Sequence, residues 1–294
     1  ISDGGHLLLD PKNITVGTGV TSQNWVYRGL IGHDYVAATT NNVNEANLIT
    51  ADNFGTDVTI SDDATLMAVG ARKGDGFSDA STDSGEVYLY KFDDGDFTNA
   101  TLIGRIGKGY TGNNDLDISS LTKADKFGRS VSFDSTGSRL VVGATGDDGN
   151  GTNVPNAGAV YLITFTDSNG NPSTNFENPA HVGTISKVGS GSSKSSDLSI
   201  NNLGAGDIFT AVALTDDGSR LVVGAQKDDG NGDSNTDTGA VYLITFTDSN
   251  GDASTDFENP AHVGTIGVGY NDNTREDYDT VSYTHLRAHE TPRY

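Results

Sequence analysis

Five oxygen-bearing side chains fall at alternate positions in one short stretch, Asp229, Asn231, Asp233, Asn235 and Asp237, with Gly230 and Gly232 among them. Calcium takes roughly six to eight hard oxygen ligands in a flexible shell, so this spacing suits it, and the glycines let the backbone curl around an ion. Like charges a few ångströms apart cost on the order of 1 kcal/mol per pair even in water, a cost that a divalent cation removes. A solvated acidic loop is the alternative. Asp147, Asp148 and Asn150, with Asn153, form a sparser set, and Asp75, Asp79 and Asp83 a sparser one still. A second candidate is the turn Asp167-Ser168-Asn169-Gly170-Asn171, repeated as Asp248-Ser249-Asn250-Gly251-Asp252, with Glu177 and Glu258 downstream. Here Asp167, Asn169, Asp248, Asn250 and Asp252 are the candidate ligands. The EF-hand order fails, since its Gly and Glu are misplaced, and a tight turn at Asn169-Gly170 explains the residues without metal.

Other chemistry is poorly supplied. With no cysteine there is no disulfide, thiolate or Cys-ligated zinc. Gly104 to Gly109 lacks the Ser/Thr and the helix of a phosphate loop, and Gly189-Ser190-Gly191-Ser192-Ser193 is not a nucleophile elbow. His181 and His262 occupy one repeat position, which reads as strand-edge packing. Lys73-Gly74-Asp75 is a cell-attachment-like tripeptide of the kind that arises by chance. The formal charge of −22, from 18 Lys+Arg against 40 Asp+Glu, repels nucleic acid and anionic lipid and favours cations. No run approaches the roughly 18 apolar residues needed to span a bilayer. The chain starts at Ile1, with no initiator Met and no basic segment followed by an apolar one, so any export signal is expected to lie outside it and it reads as a fragment.

The positioning elements come from repetition. Gly158 to Gly170 returns letter for letter as Gly239 to Gly251, and Phe176 to Ile185 returns as Phe257 to Ile266. A diverged copy lies upstream: Phe54-Gly55 matches Phe127-Gly128, Val69-Gly70-Ala71 matches Val142-Gly143-Ala144 and Val223-Gly224-Ala225, and Val87-Tyr88-Leu89 matches Val160-Tyr161-Leu162. The unit of about 73 to 81 residues occurs three times. Within a copy, Val131 and Phe133 alternate with polar residues, then come the apolar runs Leu140-Val141-Val142 and Ala159 to Phe165, then His181 to Ile185. This predicts four strands, the first two joined in a hairpin by Asp134-Ser135-Thr136-Gly137. Helix signals are nearly absent. A small antiparallel sheet with a central strand apolar on both faces must be sandwiched between neighbours, which is the logic of a propeller blade. A solenoid or open sandwich is the competing architecture.

Asp52-Asn53-Phe54-Gly55 through Val69-Gly70-Ala71, and Asp125 to Val131 through Val142-Gly143-Ala144, each followed by Gly-x-Val-Tyr-Leu, resemble the FG-GAP repeats of integrin α-type β-propellers and their bacterial relatives. The third copy departs, with Phe209 followed by Thr210 and one residue missing before Gly218. The resemblance implies an all-β fold of four-stranded antiparallel blades in a partial, open propeller, the remaining blades belonging to a parent chain. The calcium motif of that family, Asp-x-Asp-x-Asp-Gly-x-x-Asp between the first two strands, is missing from Asp134 to Arg139 and Asp216 to Arg220. Asp3 to Val16 resembles a rung of the β-helix in filamentous-haemagglutinin adhesins, with an ordinary strand-turn-strand linker as the alternative. Val281 to Thr291 resembles a translated sequencing adapter, so its His285, His289 and Glu290 are discounted as a zinc set.

The expected organisation is a β-helix-like remnant with a short N-terminal β segment at 1–20, a linker at 21–47 containing Trp25, blades at 48–108, 109–187 and 188–269, and a tail at 270–294. The expected function is non-enzymatic: an extracellular or bacterial cell-surface adhesion module for a protein or glycan on another cell or matrix, braced by Ca2+, without nucleic-acid or membrane partners. A non-catalytic appendage of an extracellular carbohydrate-active or other hydrolytic enzyme is the alternative.

Overall fold

The computed structural model describes residues 28–35, 42–149, 154–187, 194–232, 235–254, 256–270 and 277–279. The N-terminal remnant, the adapter-like segment, Asn150, Asn153 and Asp233 lie outside them. Two short strands come first, β1 (Ile31–Gly32) and β2 (Val43–Asn44). The first repeat then forms β3 (Phe54–Ile60), β4 (Leu66–Ala71), β5 (Glu86–Lys91), β6 (Thr101–Gly107) and β7 (Leu116–Asp117). The second forms β8 (Phe127–Phe133), β9 (Arg139–Ala144), β10 (Ala159–Thr164), β11 (Ala180–Ser186) and β12 (Leu198–Ser199). The third forms β13 (Phe209–Leu214), β14 (Arg220–Ala225), β15 (Ala240–Thr245), β16 (Ala261–Gly267) and β17 (Tyr278–Asp279). Among the described residues the only helical element is a three-residue 3₁₀ turn at Phe77–Asp79.

Each repeat makes its own sheet, with strands in chain order, so strands of different copies do not mix. Three such blades form an open propeller segment. The hairpin expected at Asp134-Ser135-Thr136-Gly137 is present, with the Gly137 N–H donating to the Asp134 carbonyl at 3.2 Å. The sheets have five strands where the sequence predicts four. The extra strand is two residues long and runs parallel to the fourth, as in Ile106 against Leu116 and Ile185 against Leu198. A carboxylate ahead of it fixes this closure: Asp115 accepts the Arg105 N–H at 2.8 Å, Asp197 that of Thr184 at 2.7 Å, and Asp277 that of Thr265 at 2.5 Å. Glycine is required where the chains cross, since a Cβ on Gly104 or Gly183 would overlap the backbone of Asn114 or Ser196.

The same closure stands ahead of the first blade. Ile31 pairs in parallel with Val43, and the Leu30 N–H donates to Asn42 Oδ1 at 2.9 Å. Gly29-Leu30-Ile31-Gly32 is the counterpart of Gly104-Arg105-Ile106-Gly107, and the stretch read from sequence as a linker carries a two-stranded parallel sheet. Ile31, Val43 and Leu48 pack against Val69, Ala71, Tyr88 and Tyr90 of the first blade.

Blades meet through the landmarks of the repeat. Phe127 lies against Gly85 of the preceding blade in an isolated bridge, and a Cβ on Gly158 would come within 2.5 Å of the Phe209 nitrogen. The N–H groups of the incoming first strand then donate to side chains of the preceding first strand. Val131 donates to Asp57 at 2.9 Å, Phe133 to Thr59 at 3.2 Å, and Leu214 to Ser132 at 3.0 Å. The apolar layers are continuous: Val141, Val160, Leu162 and Ile185 of the second blade share a core with Phe209, Leu221, Val223 and Tyr242 of the third. On the third blade the equivalents of Val141 and Ile185 are Val222 and Ile266, exposed at 39% and 38%.

This asymmetry gives a test within one repeated position. Val141→Ala should cost about 1.5–3 kcal/mol, the value of a fully buried valine, and Val222→Ala well under about 1 kcal/mol. Urea unfolding of both variants checks this, and equal losses would contradict the stacking described.

Candidate functional site

The loops joining the second and third strands hold the acidic clusters, and one arrangement recurs in all three. Asp75, Asp148 and Asp229 are equivalent. Each backbone carbonyl accepts an N–H six residues on, from Ser81 at 2.8 Å, Val154 at 3.3 Å and Asn235 at 2.8 Å. Each carboxylate accepts an N–H eight residues on, from Asp83 at 2.7 Å, Asn156 at 2.8 Å and Asp237 at 2.6 Å. The donating residues Asp83, Asn156 and Asp237 all have positive φ, where Asp and Asn are the most tolerant side chains after glycine. The loop is thus clipped shut by its first aspartate.

Beneath the clip sits a buried carboxylate bonded to the tyrosine of Val-Tyr-Leu. In the second blade Tyr161 donates to Asp147 at 2.6 Å, and the Gly149 N–H donates to the same carboxylate at 2.8 Å. In the third, Tyr242 and Tyr270 both donate to Asp228, which also receives the Gly230 N–H at 2.9 Å. The first blade reaches the same end by another route. Gly74 stands where the others have aspartate, and Glu86 on β5 stands where they have Ala159 and Ala240. The Glu86 carboxylate accepts the hydroxyls of Tyr88, at 2.8 Å, and Tyr110. Gly74 must lack a side chain, because a Cβ there would lie 2.5 Å from the Glu86 carboxyl. Burial raises the pKa of Asp147 and Glu86 above the ordinary carboxylate range, opposed by the tyrosine hydrogen bonds, and burial likewise drives the Tyr161 and Tyr88 hydroxyls up. The phenol proton therefore stays on tyrosine and is donated.

The candidate calcium ligands are distributed accordingly. Asp147 is a buried partner of Tyr161, Asp148 and Asp229 are loop clips, and Asp237 supplies a clip N–H. Asn231 donates to the Gly269 carbonyl at 3.2 Å. Asn235 lies in the same loop, its N–H donating to the Asp229 carbonyl. Among the described residues no group of three or more His, Asp or Glu side chains is arranged to hold a metal. The second candidate is a turn: Asp167 accepts the N–H groups of Asn169 at 2.8 Å and Asn171 at 2.9 Å, and Asp248 those of Asn250 at 2.8 Å and Asp252 at 2.9 Å. These hydrogen bonds hold both carboxyls below the usual range.

Between the first two strands of the second blade, a guanidinium sits where the resemblance would look for calcium. Arg139 and the buried Asp134 form an ion pair at 2.9 Å. His181 and His262 each pack on the tyrosine of their blade, and each Nε2 lies 3.0 Å from a glycine carbonyl, of Gly183 and Gly264. Burial, with Lys194 nearby, lowers His181 to about 4, so it is neutral at pH 7.

Residues 49–90 and 120–163, in the first two blades, match the FG-GAP repeat. No curated protein matches the chain. Among solved structures it is similar to the periplasmic gluconolactonase PpgL of Pseudomonas aeruginosa, at 17% identity and a TM-score of 0.34, over 65% of this chain and 39% of that one. It is also similar to hydrazine synthase of Kuenenia stuttgartiensis, at 10% identity and a TM-score of 0.35, over 82% and 41%. The complex of KlAtg21 with the coiled coil of AgAtg16 gives 11% identity and 0.34, over 73% and 44%. The chain thus spans under half the length of each, and likenesses of this size say nothing about its function. No helix of the described residues is long and apolar enough to cross a membrane.

The exchanged carboxylate is testable as a cycle. Gly74→Asp alone crowds Glu86, and Glu86→Ala alone leaves buried tyrosine hydroxyls unpaired, each costing about 1–3 kcal/mol. The double variant reproduces the second and third blades and should lose less than the sum, with a coupling of at least about 1 kcal/mol in denaturant unfolding. Additive losses would show that the two positions do not substitute for one another. The raised carboxyl also sets a pH dependence. A folded pKa above the unfolded one means stability is present below the unfolded value and lost as pH rises through the folded one. Relative to Asp147→Asn, the parent chain should therefore gain stability between pH 7 and pH 4, read from urea midpoints.

Proposed function

We propose that this chain is a non-catalytic binding module of an exported bacterial surface protein, which presents propeller loops to a protein or glycan on another cell or matrix. The observation that carries the reading is the clipped loop over a buried carboxylate–tyrosine pair, repeated in a segment whose first two copies match FG-GAP repeats. Polar groups that an enzyme would aim at substrate are here aimed at the protein's own backbone. The result is a set of acidic loops, each tied by its first aspartate, on stacked sheets, which suits recognition. Calcium would brace the loop from Asp229 to Asp237, where alternate oxygens and glycines coincide.

Two measurements test this. The purified chain, labelled and applied to arrays of extracellular-matrix proteins and glycans, should bind a defined subset saturably; turnover of an arrayed glycan without retention would overturn the reading. For the metal, a ligand at 100 times its dissociation constant adds about 2.7 kcal/mol, so millimolar calcium should raise the melting temperature, with magnesium less effective. Changing Asp229, Asp233 and Asp237 together to Asn should abolish that rise. An equal response from both proteins, or from neither, removes calcium from this loop.

A further inference from the structure

In a chain with 18 cationic residues against 40 carboxylates, two arginines share one groove and neither has an ion-pair partner among the described residues. The groove, of about 460 Å³, lies where the first two blades meet and is lined by Asn53, Phe54, Gly55, Thr56, Arg72 and Arg129. Arg72 follows β4 and Arg129 is the third residue of β8. With the Asn53 amide turned to donate to the Ala51 carbonyl at 3.0 Å, its oxygen accepts from Nη2 and Nε of Arg72 at 3.1 and 3.2 Å. That holds one edge of the guanidinium and leaves the Nη1 donors open. Arg129 has no hydrogen-bond or ion-pair partner among the described residues.

The framework does not demand these arginines. At the position of Arg72 the other blades carry Thr145 and Gln226, and at that of Arg129 the first blade carries Thr56. At Gly55 a Cβ would meet nothing within 4 Å among the described residues. Thr56 donates its hydroxyl proton to the Asn53 carbonyl at 2.6 Å, which leaves its oxygen to accept. Half-buried Phe54, whose ring meets Tyr88 and Tyr90 edge to face, also lines the groove.

We infer that this groove binds the carboxylate of an acidic sugar residue. Guanidinium forks match a two-oxygen anion, the Thr56 oxygen can take a sugar hydroxyl, and the ring of Phe54 suits a sugar's C–H face. The charge of −22 argues against densely charged polyanions, which the whole surface repels, and for an isolated carboxylate on an otherwise neutral ring. The inference narrows the ligand of the proposed binding module; because it concerns one groove and one monosaccharide, it can fail while array binding stands, and the reverse.

The full chain is titrated with D-glucuronate by heteronuclear NMR at low salt, beside D-glucose, N-acetylglutamate and inorganic sulfate. Glucuronate should saturate with shifts at Asn53 to Thr56, glucose should not bind, and N-acetylglutamate and sulfate should bind more weakly. Arg129→Gln should weaken glucuronate on the order of ten-fold with an unchanged melting temperature, because that side chain has no partner among the described residues. Arg72→Gln should do the same, and Arg220→Gln, on the third blade, should have no effect. No saturable glucuronate binding, unaltered binding in Arg129→Gln, or sulfate or N-acetylglutamate binding as tightly as glucuronate would each overturn the assignment.

Discussion

A small sheet whose central strands are apolar on both faces is unstable alone, and this structure follows from the need to cover each face with the next sheet. Val141, Val160 and Leu162 point one way from the second blade, and Val142, Tyr161 and Ile163 the other; every one is buried, because neighbours stand on both sides. Gly85 and Gly158, before Val-Tyr-Leu, and Phe127 and Phe209, opening the next first strand, belong to this contact. Bare backbone on one blade lets the aromatic residue of the next come within van der Waals reach, and no side chain larger than hydrogen fits between them. The closing strand, its aspartate and the hydrogen bonds between first strands all serve to set that spacing.

The same constraint explains the buried acids. Stacking leaves the sheet ends crowded, and a loop leaving such an end must satisfy its own backbone donors. An aspartate at the loop start accepts from residues eight further on, and a second carboxylate below it accepts a tyrosine hydroxyl from the adjacent strand. The first blade, with Glu86 in place of the loop aspartate, indicates that the chemistry is held while the position is free: what must persist is one carboxylate against one phenol in that volume. Much of the acidity that reads as cation-seeking in the sequence is used to terminate backbone hydrogen bonds.

The repeat, the strand count of a hairpin-linked sheet, the apolar faces and the stacking requirement were all legible in the chain itself, since alternation and repetition are local and directly visible at Val131, Phe133 and the Val-Tyr-Leu runs. The two-residue fifth strand was not, for Leu116-Asp117 and Leu198-Ser199 are too short for any period to register. Nor was the closing pair at Ile31 and Val43, whose only signal is Gly-x-Ile-Gly, recognisable once Gly104 to Gly107 is known to end a sheet. In the acidic loops the residue types were legible and their partners were not. Asp147 and Asp148 are neighbours in sequence, yet one is buried under a tyrosine and the other clips an exposed loop; Asp228, equivalent to Asp147, lay one residue outside the alternating set that drew attention.

The amino-acid sequence by itself determined the class of structure and the repeating unit, because hydrophobic period and turn chemistry act over a few residues and need no knowledge of what lies opposite. Tertiary structure alone decided which carboxylates are internal, which glycine answers which side chain, and that Arg72 and Arg129, 57 positions apart, open into one groove. Those outcomes depend on which blade stands beside which, and on the few ångströms between stacked sheets, where a hydrogen bond is either made or lost.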